Sequence, residues 1–175
     1  MTIWLKNLIY LVESRQPNTK YIFWAHDYHV STYTRVRSVG FYLRERYGNN
    51  YYALGLECNE GIFNTRELLP DGRWGDIKVD TLAGVKKSVT DLLKQMGAEY
   101  LFVDWRPAFA NYWVDKWLDT PCYFGEGGIL SKKTEEHFIR KKVKGLYDGI
   151  LFIRHSTPTH PTPNALARSA ARIGF

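Results

Sequence analysis

Apolar and polar positions along this chain fall into blocks whose period changes from one block to the next. Trp4, Leu5, Leu8, Ile9, Leu11 and Val12 recur at helical spacing, which predicts an amphipathic helix over residues 3–14. A turn signal follows at Gln16-Pro17-Asn18-Thr19. Tyr21-Ile22-Phe23-Trp24-Ala25 is then an unbroken apolar run, the pattern of a strand covered on both faces. Val36, Val39, Leu43 and Tyr47 return to the helical period and stop at Gly48-Asn49-Asn50. Residues 51–56 read as a second strand, ending at Glu57-Cys58. Residues 58–80 hold no strong period, and Pro70-Asp71-Gly72 marks a turn inside them. Leu82, Val85, Val89, Leu92, Leu93 and Met96 predict a helix over 81–96, closed by Gly97. Residues 100–105 and 149–154 are the third and fourth apolar runs. Between them the pattern predicts a short aromatic helix at 111–118, a glycine-rich loop at 124–128 and a helix over 137–144. Three prolines between 158 and 163 make the start of the tail irregular, and residues 164–172 suit a last short helix.

Four apolar strands separated by helices predict the α/β class: a mostly parallel sheet of about four strands with flanking helices. Residues 1–155 form this unit and 156–175 a partly irregular tail. Right-handed crossovers would bring the four strand C-termini to one edge, where such sheets carry their ligand crevice. The residues just past each strand are therefore the ones with chemical interest. They are His26, Asp27 and His29, then Glu57, Asn59 and Glu60, then Asp104 and Arg106, and last His155.

Composition narrows the classes. At 175 residues, 45% hydrophobic and 24% charged, the chain is an ordinary globular one and not a disordered tail. No run reaches the roughly 18–20 apolar residues that cross a bilayer, and Lys6 interrupts the apolar start without a cleavage site after it. No membrane partner is expected. Two cysteines, Cys58 and Cys122, are too few for a disulfide framework, so a reducing, cytoplasmic setting is expected. The net charge of +6 raises nucleic acid as a partner. The charge distribution argues against it: Lys132-Lys133 and Arg140-Lys141-Lys142 with Lys144 are the clusters, Glu135 and Glu136 sit between them, and the whole reads as a solvated helix face. Aromatics at 15% suit a large core or a roomy pocket for a bulky substrate.

The sharpest chemical constellation is Trp24-Ala25-His26-Asp27-Tyr28-His29. Two imidazoles three residues apart, directly after a buried strand, suit acid–base work near neutral pH. Asp27, or a carboxylate across the crevice, would fix a tautomer. Two His and a carboxylate also form a possible zinc set, and a His that merely bonds its own loop is the plainer alternative. Glu57 and Glu60 bracket a strand end and would orient a base or polarise water. A structural ion pair is the expectation for Asp104 and Arg106. Several standard signatures are missing: there is no Walker A sequence, no Gly-x-Gly-x-x-Gly and no His-Glu-x-x-His, and without a Gly-x-Ser-x-Gly elbow a serine-hydrolase triad of that type is unsupported. No cofactor is expected.

Around the His26 motif the sequence resembles the erythromycin esterase family, whose members carry a strand followed by Ala-His-Asn-x-His. The likeness continues in order through Val39-Gly40-Phe41-Tyr42-Leu43, Gly48-Asn49-Asn50-Tyr51 with Gly55 and Gly61, and Tyr147-Asp148-Gly149-Ile150. It spans about residues 3–155. The resemblance implies a hydrolase that opens the macrolactone ester of macrolide antibiotics or another carboxylic ester, using water activated by histidine, with a small-molecule ester as its partner. His26 and His29 match two active-site histidines of the family, and neither role requires a metal. Asp27 stands where the family usually has Asn, and Tyr28 where it has a small residue. The family's general base lies in a Gly-Glu-x-x-His motif. Here the only Gly-Glu is Gly125-Glu126, with Ile129 at the histidine position. The resemblance therefore implies a C-terminal half, completed by a separate N-terminal half or by self-association.

Overall fold

A computed structural model describes residues 3–14, 18–32, 37–71, 73–125 and 138–164. The first helix, α1, spans Ile3–Glu13 and buries Leu5. Residues 19–26 hold no regular element, and one helical turn follows, α2 (Asp27–Val30). Helix α3 (Val39–Tyr47) ends at Gly48, as the polar stop predicts, and Gly48 adopts φ +53°. Leu5, Val39 and Leu43 form a small core between α1 and α3, with Leu8, Ile9 and Phe23 packed against it.

The sheet holds β1 (Leu54–Leu68), β2 (Trp74–Leu82), β3 (Tyr100–Asp104) and β6 (Gly149–Ser156) in the order β2-β1-β6-β3. A separate pair, β4 (Cys122–Gly125) and β5 (Phe138–Lys141), is antiparallel. Helix α4 (Val89–Leu93) precedes β3, and α5 (Tyr112–Leu118) follows it. In α5, Asn111 caps the first turn by accepting from the backbone N–H of Trp113 and Val114, which satisfies two otherwise orphaned donors. Ser88 does the same for α4 through Asp91 N–H.

The α/β class and the four-stranded sheet are those expected, but the strand directions differ. β1 pairs parallel with β6, whereas β2 with β1 and β3 with β6 are antiparallel, so the sheet is mixed and not mostly parallel. Residues 21–25 are not a strand: they carry no regular element and join no sheet among the described residues, and Ile22 and Trp24 are 93% and 83% exposed. A continuous apolar run signals burial on both faces only where both faces are covered, and here Phe23 alone packs into a core. The fourth strand comes instead from residues 58–82. They form a long antiparallel pair, and Leu69 N–H donates to Arg73 C=O at 2.8 Å between its strands. Its alternation was hidden because both faces carry polar residues, Asn64 and Arg66 on one side and Thr65 on the other.

Two helical expectations shrink for the same reason. β2 claims residues 81 and 82, leaving α4 and a 3₁₀ turn (Lys94–Met96) that stops at Gly97 with φ +79°. The expected helix over 137–144 contains β5, whose Phe-Ile-Arg sequence pairs with β4 where a loop was expected. Residues 126–128, the Lys132-Lys133 pair, His137 and the closing helix beyond residue 164 lie outside the described residues.

The main core lies under one face of the sheet. Ile150 and Phe152 of β6, both 0% exposed, meet Val89, Leu93, Trp105, Leu118 and Phe124, with Leu101 and Val103 of β3 beside them. Alternation then puts Leu54, Leu56, Cys58 and Glu60 of β1 on the other face with Leu151, Ile153 and His155 of β6. That second face looks toward α1 and α3.

Candidate functional site

The segment from His26 to His29 sits where the chain turns into α2. His26 is the N-cap: its Nδ1 accepts from Tyr28 N–H at 3.2 Å, one of the bonds a helix start leaves open. With Nδ1 used as an acceptor, the neutral ring carries its proton on Nε2, so the outward nitrogen is a donor. The His26 side chain is exposed. His29 is half-buried, its ring 5.6 Å from that of Trp4 and 5.5 Å from that of Tyr28. Asp27 turns inward, and its Oδ2 accepts from the backbone N–H of Leu56 at 2.9 Å. Burial lifts its carboxyl from 3.8 to about 6, with the Leu56 bond and the His26 charge opposing the rise.

That hydrogen bond has a topological cause. Along residues 54–60, β1 has β6 on one flank, and β2 joins the other flank only from Gly61 onward. The Asp27 carboxylate satisfies one amide of this open flank.

The remaining expected site residues separate by sheet face. Glu60 lies opposite His155 in the parallel register, and His155 Nε2 is 3.0 Å from its Oε1. The other ring nitrogen is 2.9 Å from Glu99, so one half-exposed imidazole is held between two carboxylates. Glu57 points to the opposite face, where it is 3% exposed, and its charge adds to burial in pushing the Cys122 thiol up to about 11. Asn59, on that same face and 0% exposed, has no hydrogen-bond partner for either amide atom among the described residues. The structure thus brings Asp27 against β1 and joins Glu60 to His155, while Glu57 lies across the sheet from both. Among the described residues no group of three or more His, Cys, Asp or Glu side chains is placed to hold a metal ion.

Asp104 and Arg106 are linked only through the Arg106 backbone N–H, at 3.1 Å from Asp104 Oδ1. The guanidinium pairs with Asp148 instead, Nε to Oδ1 at 3.2 Å. Asp148 also binds Arg44 and accepts from Ala53 N–H at 2.7 Å, so one buried carboxylate ties α3, the start of β1 and the entry to β6. Residue spacing does not reveal this cluster, because its members lie 104 and 42 positions apart. Its one sequence trace is the Asp-Gly pair before the last strand.

Between α1, α3 and the open face of the sheet lies a cavity of about 730 Å³. Leu8, Leu43, Tyr47, Leu54, Leu56 and Leu151 are among its lining residues, and residues 19–25 form another wall. Ala25 and Asp27, on either side of His26, line it as well. The basic cluster near β5 is locally neutralised, Lys142 by Asp119 at 3.0 Å and Lys144 by Asp115 at 2.6 Å. No described helix is long and apolar enough to cross a membrane.

Comparison with known proteins agrees with this architecture. The sequence profile of the family described as erythromycin esterase matches residues 3–156. No curated protein sequence matches the chain. Among solved structures, a succinoglycan biosynthesis protein superposes with a TM-score of 0.63 at 23% identity, covering 78% of this chain and 33% of the other. A protein from Bacillus cereus gives 0.60 at 22% identity, covering 75% and 32%. A mutant of erythromycin esterase EreC in its open conformation gives 0.59 at 12% identity, covering 87% and 36%. The chain spans about a third of the length of these structures.

Proposed function

This chain belongs to the erythromycin esterase family, and from that premise we propose that it takes part in hydrolysing a carboxylic ester, with macrolactones as one candidate class. The observation that carries the reading is the placement of His26. It is flanked by two residues that line the cavity, and its Nδ1 is already engaged. In this reading its Nε2–H donates toward the ester oxygen, where negative charge develops as water attacks. His29, held against Trp4 and Tyr28, supports the turn that presents His26. In this reading the general base belongs to a Gly-Glu-x-x-His segment outside this sequence, because Ile129 stands at the histidine position of the only Gly-Glu here. The free thiols of Cys58 and Cys122 fit a reducing, cytoplasmic setting.

The same observation of Ile129 favours a second reading, a domain that keeps the fold and cavity and binds a ligand without turning it over. Ester hydrolysis measured on the chain alone and with an added N-terminal half separates the two. The first reading expects turnover to rise about 10²–10⁴-fold on complementation, the usual contribution of a general base. It also expects His26→Ala to cut the complemented rate about 10²–10³-fold, the usual loss on removing a donor to the developing charge. Equal turnover by folded wild type and His26→Ala would remove His26 from the reaction.

A further inference from the structure

The cavity beside β1 combines two features that constrain what fills it. Its walls are apolar and incompletely covered: Leu54 and Leu56 remain 41% exposed, and Ile22 and Trp24 more so. Its polar landmark is Asp27. Oδ2 of that carboxylate is taken by Leu56 N–H, and no described residue hydrogen-bonds Oδ1. A carboxylate with one idle oxygen inside an apolar enclosure is stabilised by a donor or a positive charge brought to it, and an apolar body would cover the walls at the same time. We propose that this cavity is a binding site for a cationic amphiphile, its ammonium group on Asp27 Oδ1 and its hydrocarbon body against Leu54, Leu56 and Leu151.

The volume of about 730 Å³ lies within the range of small-molecule sites, so a ligand with a substantial apolar body fits. Lys20 also lines the cavity, and its charge opposes a second cation there. The other titratable groups at the site are His26 beside Asp27 and the phenols of Tyr21, Tyr47, Tyr51 and Tyr52 in the lining. Burial raises the phenols of Tyr47, Tyr51 and Tyr52, so these three stay neutral between pH 5 and 8. This inference goes beyond ester hydrolysis and stands whether or not the bound molecule is cleaved.

The test uses the chain with Nile red, a neutral fluorophore, as reporter and three ten-carbon competitors below their micellar concentrations: decylammonium, decanol and decanoate. At pH 8 decylammonium should displace the dye at about a tenth of the concentration decanol needs, the advantage of a charge-assisted hydrogen bond, and decanoate should be weakest. Asp27→Asn should bring decylammonium and decanol together, and Lys20→Ala should widen their gap. In wild type and in His26→Ala alike, the preference should fade between pH 8 and 5 as Asp27, titrating at about 6, takes up its proton. Equal displacement by the amine and the alcohol at pH 8, or failure of the dye to bind, overturns the proposal. So does a preference that survives in folded Asp27→Asn. If that variant does not fold, a preference constant from pH 8 to 5 in wild type overturns it equally. No arm measures hydrolysis, so a chain that binds the amine yet stays inactive with an added N-terminal half would refute the esterase reading alone, and a complemented, active chain indifferent to the amine would refute only this one.

Discussion

Ile150 and Phe152 on one face of the central sheet are 0% exposed, while on its other face Leu54 and Leu56 of the neighbouring β1 remain 41% exposed and Phe102 of β3 57%. The strands carry similar apolar residues on both sides, so composition does not create the contrast. The covering elements do. α4, α5 and β4 cover the first face, and Val89, Leu93, Leu118 and Phe124 from them join Phe152 in one core. On the second face α1 and α3 stand off across a cavity and hold a separate core around Leu5. One face supplies stability and the other leaves room for a ligand, a division of labour that α/β proteins commonly make.

Truncation should expose the asymmetry most strongly. Phe152→Ala should cost about 3–5 kcal/mol, the range for emptying a buried aromatic site. Phe102→Ala, on the half-open face, should cost well under half of that. Chemical denaturation of both variants measures the difference directly, and equal losses would show that the second face is covered in solution.

A smaller effect should come from the carboxylate that faces the cavity. Asp27 titrates at about 6 in the fold against 3.8 for an ordinary aspartate. Between those values the folded chain holds a proton that the unfolded chain has released. Stability therefore falls as pH rises from about 4 to about 6 and stays reduced above, by at most about 3 kcal/mol. Asp27→Asn should flatten this slope in denaturation curves taken from pH 4 to 8, and an unchanged slope would place the carboxylate in water.

The smallest effect belongs to the exposed end of the same face. His155 is 54% exposed between Glu60 and Glu99, so solvent screens both pairs. Glu99→Gln should change stability by about 1 kcal/mol or less, and a loss several times larger would mean the clamp is shielded from water.

The sequence was most legible where one residue decides a local event. Gly48 and Gly97 end their helices with positive φ, Asn111 caps α5, and Pro70-Asp71 of the expected turn falls between the paired strands β1 and β2. It was least legible where partners decide. Residues 21–25 and 149–154 share an apolar pattern, yet only the second run has strands on both flanks. The 58–68 segment looks aperiodic because its inward residues include Asn59 and Thr65, buried polar groups with no side-chain hydrogen-bond partner among the described residues. At the candidate site, His26 and Asp27 were marked by their place after an apolar run. The sorting of Glu57 and Glu60 to opposite faces follows from β1 continuing past both, which the expected strand end at residue 56 concealed. Glu99 and Asp148 acquire their roles only through contacts between distant parts of the chain.

β1 is 15 residues long, about 50 Å of extended chain, and its two ends answer to different neighbours. Residues 54–61 are laddered to β6 and residues 61–68 to β2, so Gly61 alone belongs to both ladders. It adopts φ +136°, and a Cβ there would lie 2.3 Å from the Ser156 carbonyl oxygen, which excludes any larger residue. Energetically the strand is two beams spliced at one joint. Opening of the outer pair need not disturb the inner ladder, so amide hydrogens beyond Gly61 can exchange in local fluctuations while those before it wait for the whole core to open.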